Sequence, residues 1–504
     1  MNTYKNDDSL RAAQVEKLRS RYGQAKQQRD QWVPLWQECY DYALPQRQSV
    51  AMAGQAAGNA RTQHLYDATA MDAVDQLAAS LLAELTPPWT NWFGLKPGAE
   101  LSAAEAEAIS PKLETATKVM QDHFDRSNFA VEVHQAFLDL VTAGTASLSF
   151  DEAAPGAFTA FKFTAVPLGD VVLEEGVNGY LDVTYRYYGL NYAQLKEKYP
   201  NASLPISVIE VGEKDASASF DVLEAVIPNG LMYDYMAILV DSSNEECVLT
   251  QAVMPSSPFI NFRWLKSPGE SYGRSPVMKT LPDIKTANKV VELILKNASI
   301  SVTGIWQADD DGVLNPANIE LKPGTIIPKA VGSQGLRPLE MPGRFDVSEL
   351  VLSDLRSRIR HSMLTDRLAQ ISGRNMTATE VLERSAEVVH ILGATYGRLQ
   401  SELLTPLIKR AYAILRRRGE IPDLPLDGRI VAMDYRSPLA RAQSQKNVQN
   451  ILSWINASVG LGVAADQAID FGAAIRFIGE ALGVPSNLII RDLSTSEITT
   501  TQGA

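Results

Sequence analysis

The stretch Tyr272–Lys285, YGRSPVMKTLPDIK, opens the part of the chain whose reading decides the fold. Ser275-Pro276 is a helix start, with serine as N-cap and proline at the first helical position. Pro282 is expected to kink or restart the helix. Past it, Ile284, Ala287, Val290, Val291, Ile294, Leu295 and Ala298 recur on a helical period and make one apolar face to about Ile300. Lys285, Lys289, Glu292 and Lys296 fall within about 40° of one another at a helical advance of about 100° per residue, so they form one polar stripe. Such a stripe is either a solvated face or a face turned to a subunit boundary or a channel.

Residues 301–345 are rich in Gly, Pro and β-formers, with SVTGIW, IELK and TIIPKA as expected strands. Asp309-Asp310-Asp311-Gly312 lacks the spaced ligands and closing glutamate of an EF-hand loop, which makes it a solvated turn rather than a calcium site. The helical pattern returns near Asp346 with Leu350, Leu352, Leu355, Ile359, Met363 and Leu368, and fades near Gln370. A short polar loop follows, Ile371, Ser372, Gly373, Arg374, Asn375 and Met376. Arg374 is placed to touch phosphate or to pair with a neighbouring subunit's carboxylate. Thr377-Ala-Thr-Glu380 is a capping box. The helix it opens is expected to run to Arg418, on the order of 60 Å at the rise of an α-helix. Pro406 should kink it. Lys409, Arg410, Arg416, Arg417 and Arg418 crowd its end and complement the helix dipole; nucleic-acid contact is the competing reading. A helix, a small β module, a returning helix, a loop and a long helix contain no pocket chemistry. They describe a stalk with a knob and a brace.

Upstream, residues 10–42 read as helix broken once at Pro34, and Tyr66–Leu85 as a second amphipathic helix stopped at Thr86-Pro87-Pro88. Trp89, Trp92 and Phe93 read together as a core anchor under a turn. Residues 102–126 and 131–141 are helical, with a restart expected at Ser110-Pro111. From Gly144 the period changes to two, and strands separated by turn residues fill 144–267, interrupted by one short helix at Asn191–Pro200. That block is α+β with mostly antiparallel strands. Beyond Pro425 lies a linker, then helical material at 439–456 and 464–482.

The chain has 504 residues, 45% hydrophobic and 21% charged, enough for two to four domains with a sizeable core. No run of 18 apolar residues and no leader-like start is seen, so neither a membrane span nor a signal peptide is expected. Cys39 and Cys247 are the only cysteines. They fit a reducing compartment and exclude a disulfide framework. The net charge of −12 argues against a tight grip on DNA, which needs clustered cations to displace counterions. It is compatible with a conduit, because an acidic wall repels phosphate within a Debye length of roughly 8 Å. No HExxH, GxSxG or P-loop occurs. Gly460, Gly462 and Ala465 fit a relaxed dinucleotide fingerprint, but the preceding NVQNILSWIN reads as helix where a strand is required. A nucleotide-binding enzyme is therefore the weaker alternative, and no catalytic residue, metal or cofactor is assigned.

Several of these words together resemble the portal, or head-to-tail connector, family of short-tailed bacteriophages. They are YGRSP with LPDIKTAN (Leu281–Asn288), RNMTATEVLER (Arg374–Arg384), GRLQSELLTPLIKRAYAILRRRGEIP (Gly397–Pro422) and YDATAMDAVDQLAASLLAELTPPWTNWFGL (Tyr66–Leu95). The resemblance runs from about residue 10 to 440. It implies a wing (1–275), a stem helix (276–300), a clip (301–345), a returning stem helix (346–370), a tunnel loop (371–376), a long wing helix (377–419) and a crown (426–504). It implies a dodecameric ring in the virion, assembled in the host bacterial cytoplasm, with double-stranded DNA passing through without tight binding. Implied partners are the terminase large subunit, a tail adaptor protein, the major capsid protein and scaffolding or internal core proteins. Asp309, Asp310 and Asp311 fall on the clip that docks motor and adaptor. A different capsid or tail ring protein is the other alternative.

Overall fold

The computed structural model describes residues 3–47, 61–240, 247–303, 306–307, 331, 337–338, 345–368, 393, 395–436, 448–458 and 470–482. The N-terminal helical reading divides as expected beside Pro34, into α1 (Thr3–Asp30) and α2 (Val33–Ala43). Next come α3 (Thr69–Leu85), strand β1 (Phe93–Pro97), α4 (Ala103–Arg126) and α5 (Phe129–Ala143). Ser102 and Glu105 form a capping box at the start of α4, and that helix runs on through Pro111 without the expected restart. Trp92 and Phe93 are buried as the sequence suggested. Trp89 is not part of that anchor: it is 79% exposed, in a left-handed conformation with φ 66°.

Two antiparallel sheets follow. β2 (Thr145–Glu152) lies between β3 (Phe161–Val166) and β9 (Phe259–Arg263). The second sheet has the order β4 (Val171–Glu174), β5 (Val183–Asn191), β6 (Ser219–Asn229), β7 (Met232–Val240) and β8 (Cys247–Met254), every neighbour antiparallel. Its alternating pattern puts Leu223, Ala225 and Ile238 on one face against Val15, Leu18 and Ala25 of α1. Val222, Ala237 and Leu239 point to the other face, against Leu195, Tyr199 and Val208. Two helices rather than one supply that cover, α6 (Tyr192–Lys198) and α7 (Ile206–Lys214). The second was missed because ISVIEVGEK is rich in β-branched residues, and its helical state comes from packing Val208 on the sheet rather than from propensity.

The organising stretch gives α8 (Pro276–Thr303), which neither stops nor restarts at Pro282. The lost backbone bond is offset by burying Leu281, Ile284 and Ala287 on the same turns. Ser301–Thr303, expected as strand, belong to this helix. Trp306–Gln307 pairs antiparallel with Arg337–Pro338, so the excursion between the two helices begins and ends at one point. α9 (Phe345–Ser362) returns along α8. It closes earlier than Gln370, at a turn where Leu364 has φ 59°, before a single turn at Thr365–Leu368.

Of the long helix, residues 395–418 and Gly393 are described. It is not one regular α-helix. A π-turn, Gln400–Leu404, precedes the α-helical Thr405–Arg418. Pro406 explains the place: its ring would clash with the carbonyl four residues back, and a wider turn removes that clash. Gly419 ends the helix at φ 74°. Beyond it, Val431–Tyr435 pairs along its whole length with β1, Phe93 opposite Tyr435. This pairing brings the stretch after the long helix back onto the N-terminal part of the chain. Farther on, residues 448–458 and Phe471–Leu482 are helical.

Candidate functional site

The structure joins the conspicuous words of the sequence into one junction at the root of the α8–α9 pair. YGRSP is its centre. Tyr272 is buried, and its hydroxyl accepts the Leu173 N–H at 3.0 Å. The Gly273 N–H donates to Thr145 Oγ1 at 2.8 Å, and Gly273 lies directly on Gly144, the left-handed residue that ends α5. Arg274 covers the Trp32 ring at 4.7 Å. Ser275 Oγ accepts the Met278 N–H at 2.9 Å, capping α8, and donates to the Thr142 carbonyl at 2.8 Å.

A clasp then ties both helices to the segment before α3. Asn288, the last residue of LPDIKTAN, accepts the backbone N–H groups of Tyr66 and Asp67 at 2.6 and 3.2 Å, and donates to the His64 carbonyl at 2.9 Å. Asp67 is buried. Its Oδ1 accepts the Thr69 N–H, and Arg356 of α9 grips its Oδ2 with two nitrogens at 2.8 and 2.7 Å. Burial works against the Asp67 charge, but Thr69 and Arg356 outweigh it and hold the carboxyl below its ordinary range. Arg358 pairs with Asp283 at 3.0 Å across the two helices.

Behind the pair, the π-turn places Glu402 against Arg263 of β9, both fully buried, at 2.6 Å. Arg263 also reaches Glu175, the Ser271 carbonyl and the Gly179 carbonyl, while its own N–H donates to Glu402 Oε2. Every strong donor is matched, which a buried pair requires to be tolerated. A second buried carboxylate, Glu224 of β6, takes four donors on Oε1: Tyr188 (2.9 Å), Tyr199 (2.8 Å), Tyr235 (2.9 Å) and Lys198 (2.8 Å). Burial pushes Glu224 up, but Lys198, Arg186 and the phenols prevail and hold it below the usual carboxylate range. Sequence reading found neither carboxylate, because each partner set is assembled from distant strands. Only the isolated acid within each apolar run, in FDVLEAVI and LQSELL, was there to be noticed.

Residues 15–490 match the family described as bacteriophage head to tail connecting protein. That match spans nearly the whole chain. The chain belongs to this connector family. It is 25% identical over 505 residues to a probable portal protein of Bordetella phage BPP-1, covering 95% of this chain and 90% of that one. It is 22% identical to the portal protein of Salmonella phage epsilon15, covering 94% and 88%, and 22% identical to that of Escherichia phage T7, covering 81% and 76%. Among solved structures it is similar to a chain of the virion of a native gene transfer agent particle, at 12% identity and a TM-score of 0.40, covering 85% of this chain and 97% of that one.

The polar stripe of α8 is internally paired in part. Lys289 and Lys296 both donate to Glu292, at 2.9 and 2.5 Å, and hold its carboxyl below the ordinary range. Lys285 leaves the group: it pairs with Glu38 of α2 at 2.7 Å and lies over the Tyr42 ring. Most of the basic end of the brace helix is also spoken for, which favours the dipole reading over nucleic acid. Arg416 pairs with Asp423 at 3.2 Å, and Arg417 and Arg418 reach Glu152. Arg410 is buried under β2, donating to the Phe150 carbonyl at 2.6 Å, and burial pushes its guanidinium down to about 10. Ile371, Ser372, Gly373, Arg374, Asn375, Asp309, Asp310 and Asp311 lie outside the described residues, as do Gly460, Gly462 and Ala465. The residues just before that glycine pair, 448–458, are helical, the wrong context for a dinucleotide turn. Among the described residues no group of three or more His, Cys, Asp or Glu is arranged to hold a metal ion, and no helix is long and apolar enough to cross a membrane.

Proposed function

We propose that this connector protein is the portal of a short-tailed phage, a closed dodecameric ring at one capsid vertex through which DNA is packaged and later ejected. The family match over residues 15–490 carries the reading. The stem supports it: Leu293 and Leu295 of α8 and Leu350 and Val351 of α9 stand exposed along the helix pair, apolar surface suited to the same pair in adjacent subunits. The acid excess of the chain suits a lining past which phosphate slides. In this reading the clip, with Asp309–Asp311, receives the terminase motor and then the tail adaptor. The loop Ile371–Met376 meets the DNA, the major capsid protein surrounds the wing, and scaffolding or internal core proteins meet the crown. The ring assembles in the bacterial cytoplasm and does no chemistry of its own.

Native mass spectrometry and negative-stain imaging of the full chain test the proposal. A closed ring with an axial hole is expected. Monomers at every salt and protein concentration, or rings without an opening, would overturn it.

A further inference from the structure

The turns β4–β5 and β6–β7 lie at one end of the five-stranded sheet, since α6 and α7 occupy the other end, between β5 and β6. Between those turns and the helix Thr405–Arg418 runs a groove of about 960 Å³. Leu231 and Tyr233 form one wall, Lys409 and Arg416 the other, and Asn261 of β9 contributes to its floor. Three observations show that the groove is built to be covered. First, its lining carries large apolar side chains in water: Leu231 is 95% exposed and Tyr180, on the other turn, 44%. Monomeric surfaces rarely gather such groups at one place. Second, Asn261 is only 7% exposed, and its amide donates to the Leu181 carbonyl and Thr184 Oγ1. Among the described residues its Oδ1 has no donor, and a buried acceptor left unmet is destabilising. Third, among the described residues exposed Lys409 has no carboxylate within ion-pair distance.

The occupant must therefore bring apolar side chains to the turn tips, an N–H or O–H to the floor and a carboxylate to the helix wall. The groove lies open between two turns and a helix, and a protein surface can meet all three at once. The chain itself has the charge, with 59 acidic against 47 basic residues. A closed ring also needs one face of each copy to meet a different face of the next. We infer that a second copy of this chain docks in this groove, an assignment that rests on the ring proposed above.

The test places p-benzoylphenylalanine at Leu231 in the full chain and irradiates it, with the same probe at exposed Ile206, on the helices at the opposite end of the sheet, as a control. Native mass spectrometry before irradiation reports whether rings are present. A covalent two-chain product from the Leu231 probe, with Lys409→Glu lowering its yield about tenfold, is the expected result. Intact rings that yield no two-chain product from Leu231, or no more than from Ile206, would remove the groove from the interface and leave the ring standing. Monomers throughout would sink both.

Discussion

Gly144 and Gly273 touch where α5 ends and the run into α8 begins, and neither has room for a side chain. A Cβ on Gly144 would stand 2.4 Å from the Gly273 carbonyl oxygen, in a backbone already at φ 79°. Gly144→Ala is expected to cost about 2–4 kcal/mol, from left-handed strain and overpacking together, read as a lower urea midpoint at unchanged slope. Glu224 sets a pH dependence of known sign. Its folded carboxyl titrates below the unfolded one, so its stabilisation is complete above the unfolded value of about 4.3 and is lost as pH falls through the lower folded value. Glu224→Gln should flatten the acid limb of stability between about pH 5 and 3, measured by urea unfolding across that range. The importance of YGRSP was legible in the sequence. Its reason was not, because the carbonyl that forbids a Cβ on Gly273 belongs to Gly144, a residue no local pattern links to it.

At the scale of elements, the sequence held most of the list and little of the joinery. Eight strands from Thr145 to Arg263 follow the period-two runs that mark them, and the α8–α9 pair follows the three-four step. The clasp was hidden, since Asn288, Asp67 and Arg356 look like ordinary polar positions until three segments meet. The π-turn was hidden too: proline signals a disturbance, but only the burial of Glu402 against Arg263 shows how it is absorbed. Arg356→Met should leave Asp67 buried without its cation and loosen α9 from the segment before α3. Amide exchange is expected to rise across 345–362 while β2 and β9 keep their protection. Unchanged exchange in α9 would mean that its contacts with α8 suffice.

For the whole assembly, the proposed roles of the loop and clip make separable predictions. Arg374→Ala should form rings normally but alter DNA retention, seen as a changed length of packaged DNA; equal lengths in mutant and parent particles would exclude the loop from the mechanism. Replacing Asp309, Asp310 and Asp311 by serine should weaken adaptor or motor docking without affecting ring formation, measured by binding of the purified partner to preformed rings. The pairing of Phe93–Pro97 with Val431–Tyr435 has its own outcome for biosynthesis. While the ribosome is still making the several hundred residues between the two, the early strand has no mate and its side of the fold is unfinished. Nascent chains shorter than about residue 435 should therefore remain protease-sensitive and dependent on chaperones, and the protein should mature late and abruptly, once the returning strand emerges.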